Sequence, residues 1–139
     1  MKAITVYLLR FALAATVLTI IFRYFLSQGI DAGSTITVIL SAVLYFIGMF
    51  ILGWYFGKKD GNYLPFYDVG FRFHLTTYII YNLISELWFI LEFNSHYENF
   101  FTIHRTVFIW GGFLLIHFIF FLWARKRTIN NLNKRDLFE

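Results

Sequence analysis

The chain has 139 residues, of which 59% are hydrophobic and only 14% are charged. A soluble domain of this size needs more surface charge, so the composition indicates a membrane protein. The absence of cysteine excludes disulfides, thiolate catalysis and zinc–thiolate sites. The net charge of +4 does not indicate nucleic-acid binding, because the basic residues lie at the ends of apolar runs and not in a patch with interleaved aromatic residues.

Four apolar runs follow one another along the chain. Each has about 20 residues, the length that an α-helix needs to cross about 30 Å of hydrocarbon. Aromatic and β-branched residues are common in them, but backbone groups in lipid can be satisfied only within helices. The runs cover 4–26, 36–57, 72–92 and 106–124. We therefore predict a single all-α domain over 1–139, an integral membrane four-helix bundle.

Basic residues at the ends of the runs indicate the topology. If the helices alternate in direction, Arg105 and, as a further candidate, Arg23 fall on one side of the membrane. The other side holds Lys2, Lys58, Lys59, Arg72, Arg125, Lys126, Arg127, Lys134 and Arg135. By the positive-inside rule, this excess predicts that both termini face the cytoplasm (N-in/C-in).

Two segments of the predicted cytoplasmic side offer surfaces to partners. Residues 57–72 form a predicted loop with apolar residues between charges, and we expect a re-entrant or surface segment in the membrane interface. Residues 125–139 form a basic tail. A cytoplasmic partner protein would meet these two segments. Contact of their Lys and Arg side chains with anionic lipids is the alternative.

Glycines in the second and fourth runs indicate close helix contacts. Gly53 and Gly57 form a GxxxG step near the inner end of the second run, and Gly111 and Gly112 are adjacent in the fourth. Such small residues allow helix backbones to approach closely. Within a four-helix unit we interpret them as sites of internal packing rather than as a dimer face.

The third run carries polar residues at every fourth position, which we call the third-helix ladder. Its members are His74, Tyr78, Asn82 and Glu86. This spacing places them on one helical face, and a charged carboxylate in mid-membrane costs about 3 kcal/mol. The ladder should therefore turn away from lipid, toward another helix or a wet cavity. Glu86 is the member that we least expect to serve only in packing, since a buried carboxyl can donate a hydrogen bond or titrate in transport.

Depth along the predicted helices suggests which residues meet this ladder. His117 lies about 10 Å from the cytoplasmic end of the fourth run, at a depth comparable to Tyr78. Arg10 falls near the same depth, so Arg10, His74, Tyr78 and His117 form one candidate cluster. Interhelical hydrogen bonding is the ordinary role of such residues, and ligand binding and a proton or ion path are the alternatives. For Arg10 we favour extension to the cytoplasmic headgroups.

The predicted outer loop, 93–105, contains two histidines and a carboxylate, and a second carboxylate precedes it. These residues are His96, His104, Glu98 and Glu92. They are ligand types that can hold a divalent metal. The spacing of the histidines is not a recognised ligand pattern, however. We therefore interpret the segment as an ordinary exposed loop and predict no metal site.

The second half of the chain carries two motifs. In 73–82, FHLTTYIIYN, a His, a Tyr and an Asn follow at four-residue steps, and in 110–117, WGGFLLIH, a Trp-Gly pair leads to a His. With these motifs, residues from about 73 to 125 resemble the bacterial "2TM domain" family, a helix pair with a short linker that is fused to sensor kinases in some members. Phe113 departs from the pattern, where a second glycine is expected. The resemblance implies a module of the bacterial inner (cytoplasmic) membrane, pairs His74 with His117, and implies no reaction.

The sequence contains no signature of an enzyme, since nucleophile-elbow, P-loop, HExxH and dinucleotide motifs are absent. We therefore expect a non-enzymatic signalling, regulatory or interaction module in the lipid bilayer, as a homo-oligomer or with a partner membrane protein. One alternative is an oligomeric ion channel or small transporter with Glu86, Asn82 and Arg10 as its polar path. The other is a haem-binding electron carrier with His74 and His117 as axial ligands.

Overall fold

The computed structural model describes residues 4–130, without the side chains of 66, 103 and 128–130. This part of the chain forms four α-helices joined by short loops. They are α1 (Val6–Asp31), α2 (Thr35–Asp60), α3 (Phe66–Ile90) and α4 (Phe100–Asn130). The prediction of an all-α chain is thereby confirmed.

All four helices are longer than the apolar runs that predicted them, and α3 and α4 begin well before theirs. α3 begins at Phe66 with Pro65 as its N-cap, so most of the predicted loop over 57–72 is helical and only 61–65 connects α2 to α3. The apolar pattern missed residues 66–71 because Asp68 and the adjoining Arg72 interrupt it. These two side chains form an i,i+4 ion pair, with 2.7 Å between Arg72 Nη2 and Asp68 Oδ2, which supports the helix.

α4 likewise extends past both ends of the predicted run. It begins at Phe100 and continues through the basic stretch to Asn130. The start of the predicted tail, 125–130, is therefore helical, and the rest of the tail, 131–139, lies outside the described residues.

α1, α2 and α3 pack against one another, and α3 also carries α4. Among the described residues, α4 contacts no helix other than α3, so the four helices do not close into the predicted bundle. Lipid explains why the open arrangement is tolerated, because apolar helix faces gain little by leaving acyl chains for one another. The buried apolar core accordingly lies between α1 and α3, around Phe11, Ala15 and Phe73.

Side-chain contacts hold α1 and α2 together where α1 begins and α2 ends, and again in the middle of both helices. The Thr5 side chain caps α1 by accepting from the Leu8 amide (3.0 Å), and it donates to the buried Asp60 carboxylate at the end of α2 (2.7 Å). In the middle, a Cβ at Gly48 would lie 2.8 Å from a methyl carbon at the end of the Leu18 side chain, so a larger residue there would require Leu18 to shift. The close contacts of these two helices thus involve Gly48 and, near the connecting loop, Gly29, and not the GxxxG step.

Three helical segments are long and apolar enough to cross a membrane: α1, α2 and Phe100–Arg127 of α4. This agrees with the prediction of a membrane protein. α3 has 25 residues but is not among the three. The helix that carries the third-helix ladder is therefore the least apolar, because the ladder and its charged first turn replace hydrophobic side chains.

Candidate functional site

The third-helix ladder faces α4. The rings of His74 and His117 lie 4.9 Å apart, centroid to centroid, at an interplanar angle of 56°. One turn further along α3, the Tyr78 hydroxyl donates to the Val107 carbonyl oxygen at 3.2 Å. This geometry brings together the two histidines and Tyr78, as depth along the helices suggested.

The remaining two members of the ladder make more local contacts. Asn82 donates through Nδ2 to the Tyr78 carbonyl oxygen (2.8 Å), and its Oδ1 is buried with no hydrogen-bond partner among the described residues. Glu86 lies near the end of α3, with Oε1 3.7 Å from Nε2 of His104 on α4. Both side chains are more than a third exposed, 34% for Glu86 and 42% for His104. Water screens their charges, so this ion pair is weak.

Arg10 lies apart from this cluster. Its side chain is exposed on α1, which does not contact α4 among the described residues. The guanidinium lies instead near Tyr55 on α2. Arg10 therefore extends along the protein surface. It does not lie on a proton or ion path that includes His74.

The four glycines divide into two that meet another helix and two that do not. A Cβ at Gly111 would lie 3.1 Å from the Tyr78 hydroxyl oxygen, and one at Gly57 would lie 3.7 Å from Val69 on α3. Gly111 therefore makes room for the Tyr78 hydrogen bond. Around Gly53 and Gly112 there is open space within 4 Å.

The open side of the α3–α4 contact forms a groove of about 330 Å³, which we call the histidine groove. Its lining residues are His74, Trp110, Phe113, Leu114, Ile116, His117 and Phe120. His74 is exposed there. Within the described part of the chain, no hydrogen bond involves the imidazole nitrogens of His74 or His117 or the indole nitrogen of Trp110. The groove thus presents polar atoms without protein partners on an apolar surface.

A second polar ladder lies on α1, and its first three members are buried while the fourth is exposed. Its members follow at four-residue steps and are Thr19, Arg23, Ser27 and Asp31; we call it the first-helix ladder. Arg23 forms an ion pair with Glu98, with 2.6 Å between Nη2 and Oε2, and the two side chains are only 3% and 8% exposed. The expectation of an exposed loop is therefore wrong for Glu98, which points into the protein.

Hydrogen bonds around Glu98 attach the loop over 91–99 to α1. The Ser27 hydroxyl donates to Glu98 Oε1 at 2.6 Å and accepts from the indole nitrogen of Trp88 at 3.2 Å. The Ser95 amide donates to the same carboxylate oxygen at 3.2 Å, and its hydroxyl donates to Asp31. We call Arg23, Ser27, Trp88, Ser95 and Glu98 the loop latch. Because this loop leads directly into α4, the latch determines where α4 begins.

Further polar groups continue the first-helix ladder toward the middle of the molecule. Thr19 is hydrogen-bonded to the Tyr45 hydroxyl of α2 (3.1 Å), and Tyr81 of α3 lies near both Arg23 and Glu98. Arg23 Nε is buried with no hydrogen-bond partner in the described part of the chain, and the buried Ser85 hydroxyl lies near Tyr81. The interior between α1, α2 and α3 is therefore more polar than its apolar sequence indicates.

Sequence reasoning missed the loop latch, although one signal was available. The four-residue spacing that identified the third-helix ladder also occurs at Thr19, Arg23, Ser27 and Asp31. In the sequence analysis, Arg23 contributes only to the charge count from which the topology is predicted. Among the described residues there is no group of three or more His, Asp or Glu that could hold a metal ion.

Comparisons with models of protein families, with curated proteins and with solved structures find no match to this chain. The resemblance of residues 73–125 to the 2TM domain family therefore stays a prediction. Functional interpretation rests on the geometry of the two ladders and on the way α4 is attached.

Proposed function

We propose that the protein is a non-enzymatic interaction and regulatory module of the bacterial inner membrane, and that α4 is the helix through which it binds a partner. The partner is a second copy of the chain or another membrane protein. All four helices cross the bilayer in this proposal, with both termini in the cytoplasm.

The attachment of α4 is the observation that carries the proposal. α1 has two neighbouring helices, whereas α4 contacts only α3 among the described residues. Large apolar side chains such as Phe108, Ile109 and Leu115 are exposed along it. Lipid can cover such a face, but a helix with one neighbour can also accept a second without any change in the α1–α3 core.

The loop latch supports a regulatory role for the same helix. Glu98 connects the start of α4 to α1 through a buried ion pair, while the described contacts of α4 with α3 are ring contacts, one hydrogen bond from Tyr78 and the weak ion pair of Glu86 with His104. A partner that shifts α4 against α3 would therefore break few polar contacts along most of the helix. Its movement would be transmitted to the basic end of α4, which the proposed topology places in the cytoplasm.

Charge at the two ends of the molecule supports the proposed orientation. Lys58 and Lys59 end α2 on the same side as the basic end of α4, which carries Arg125, Lys126 and Arg127. At the opposite end lie two arginines, Arg105, which is exposed, and Arg23, which is neutralised by Glu98. This asymmetry is the one that the positive-inside rule associates with cytoplasmic termini.

The geometry gives less support to the alternative functions. The His74 and His117 rings contact each other directly, so a haem would have to separate them before both could ligate its iron. A path through Glu86, Asn82 and Arg10 is interrupted, because Asn82 bonds within α3 and Arg10 lies near Tyr55. We therefore propose neither.

Cysteine cross-linking tests the proposal, since the natural chain has no cysteine. Gly112→Cys places a thiol on α4 where open space surrounds the position. Ala42→Cys is the matched control, because it is exposed on α2 at an equal distance from the start of its predicted run. We expect oxidation in native membranes to give a discrete cross-linked dimer or adduct for Gly112→Cys and only background for Ala42→Cys. Equal background at both positions would refute α4 as the binding helix.

A further inference from the structure

The histidine groove offers hydrogen-bond donors to a molecule dissolved in the membrane. A neutral imidazole has one N–H donor and one bare nitrogen acceptor, and an indole has one N–H donor. His74, His117 and Trp110 therefore supply three donors and two acceptors, none of which bonds to another described residue. In hydrocarbon a polar atom without a partner costs about 1–3 kcal/mol by protein-based estimates, so these groups favour a polar occupant.

The charge of the lining restricts the chemistry of that occupant. None of the seven lining residues is Lys, Arg, Asp or Glu. A carboxylate or phosphate headgroup would lack a permanent counter-charge, which makes an anionic lipid a poor match. A neutral molecule with hydrogen-bond acceptors on a flat ring is the better match, because its oxygens can accept from the imidazole and indole N–H groups.

The shape of the groove agrees with this choice. Its volume of about 330 Å³ lies at the lower end of the range of small-molecule sites, about 300–1,000 Å³. Phe113 and Phe120 provide aromatic walls for stacking, and Leu114 and Ile116 provide apolar surface for a hydrocarbon tail. The groove is open at the side, so a ligand could enter directly from the bilayer.

We propose that the histidine groove binds a membrane quinone, with one carbonyl oxygen of the ring accepting a hydrogen bond from the imidazole of His74 or His117 and the opposite one accepting from the Trp110 indole. The bare imidazole nitrogens match the hydroxyl donors of the corresponding quinol, so both forms can bind. The proposal concerns binding only. It does not rest on the proposed function, because the groove lining does not include the exposed α4 residues Phe108, Ile109 and Leu115.

Titration of the protein in lipid nanodiscs with decylubiquinone tests the proposal, with quenching of tryptophan fluorescence and the shift of the melting temperature as readouts. We expect saturable binding of one quinone per chain. Leu114→Phe, which fills the groove, should weaken binding at least tenfold, whereas Leu115→Phe, the same substitution on the neighbouring exposed residue, should leave it unchanged. His74→Leu with His117→Leu should also weaken it at least tenfold, and His104→Leu outside the groove should not.

Three results would overturn the proposal. Quenching that does not saturate would mean partition into the lipid only. Equal affinity in Leu114→Phe and Leu115→Phe would place the quinone elsewhere on the protein. Displacement of the quinone by oleate at equal concentration would identify a fatty-acid site instead. If the histidine variant does not fold, the comparison of Leu114→Phe with Leu115→Phe remains decisive, because these two variants differ only in the position of one added aromatic ring.

Discussion

The first-helix and third-helix ladders have the same spacing but different surroundings. On α1, Arg23 and Ser27 are buried and bonded to Glu98. On α3, His74 is exposed and Glu86 is only partly covered. The difference follows from what covers each ladder, because the first-helix ladder meets α2, α3 and the loop over 91–99, whereas the described interhelical contacts of the third-helix ladder are to α4. A polar face in a membrane helix therefore becomes a structural core or an accessible site according to how many helices cover it.

Removal of Glu98 should have the largest effect on stability. Glu98→Ala leaves the Arg23 guanidinium buried without its counter-charge, which costs about 3–5 kcal/mol. We expect a strongly lowered melting temperature in detergent, measured by circular dichroism. The control is the double variant Arg23→Met with Glu98→Leu, which removes both charges and should recover much of the loss. An effect of Glu98→Ala below 1 kcal/mol would mean that the loop latch does not hold α4 in place.

Removal of the Tyr78 hydroxyl should lower stability less than removal of Glu98. This pair of variants compares the third-helix ladder with the first-helix ladder. Tyr78→Phe deletes the hydrogen bond to the Val107 carbonyl oxygen but keeps the ring, and such a bond contributes about 0.5–1.5 kcal/mol. Chemical denaturation in mixed micelles measures the loss. Tyr63→Phe, at an exposed position in the loop before α3, is the matched substitution and should change nothing. A loss as large as that of Glu98→Ala would contradict the distinction between the two ladders.

The histidine pair should have the smallest effect. His74→Ala and His117→Ala each remove one side of a ring contact at a partly exposed site, so we expect losses of about 0.5 kcal/mol each. Because the two rings touch, the double variant should cost less than the sum of the single variants. Thermal melting of all four proteins in one detergent measures this cycle. Strict additivity would mean that the two imidazoles do not interact.

Four-residue spacing identified the third-helix ladder, and depth along the predicted helices identified His117 as its contact on α4. They brought His74, Tyr78 and His117 together, because antiparallel neighbours joined by a short loop keep a simple register. They failed for Arg10, since equal depth says nothing about which helices touch. They also failed for Gly53 and Gly112, because a small residue permits a close contact but does not create one.

The amino-acid sequence by itself determined that the chain is helical, that its helices are long and apolar, and which residues share a helical face. These properties depend on local periodicity and on the chemistry of single side chains. Only the packing of whole helices shows that α4 has one neighbouring helix among the described residues, that Gly48 receives Leu18, and that Arg23 meets Glu98, which is 75 residues away along the chain. Contacts between distant segments depend on how whole helices pack, and no local pattern of residues encodes that choice.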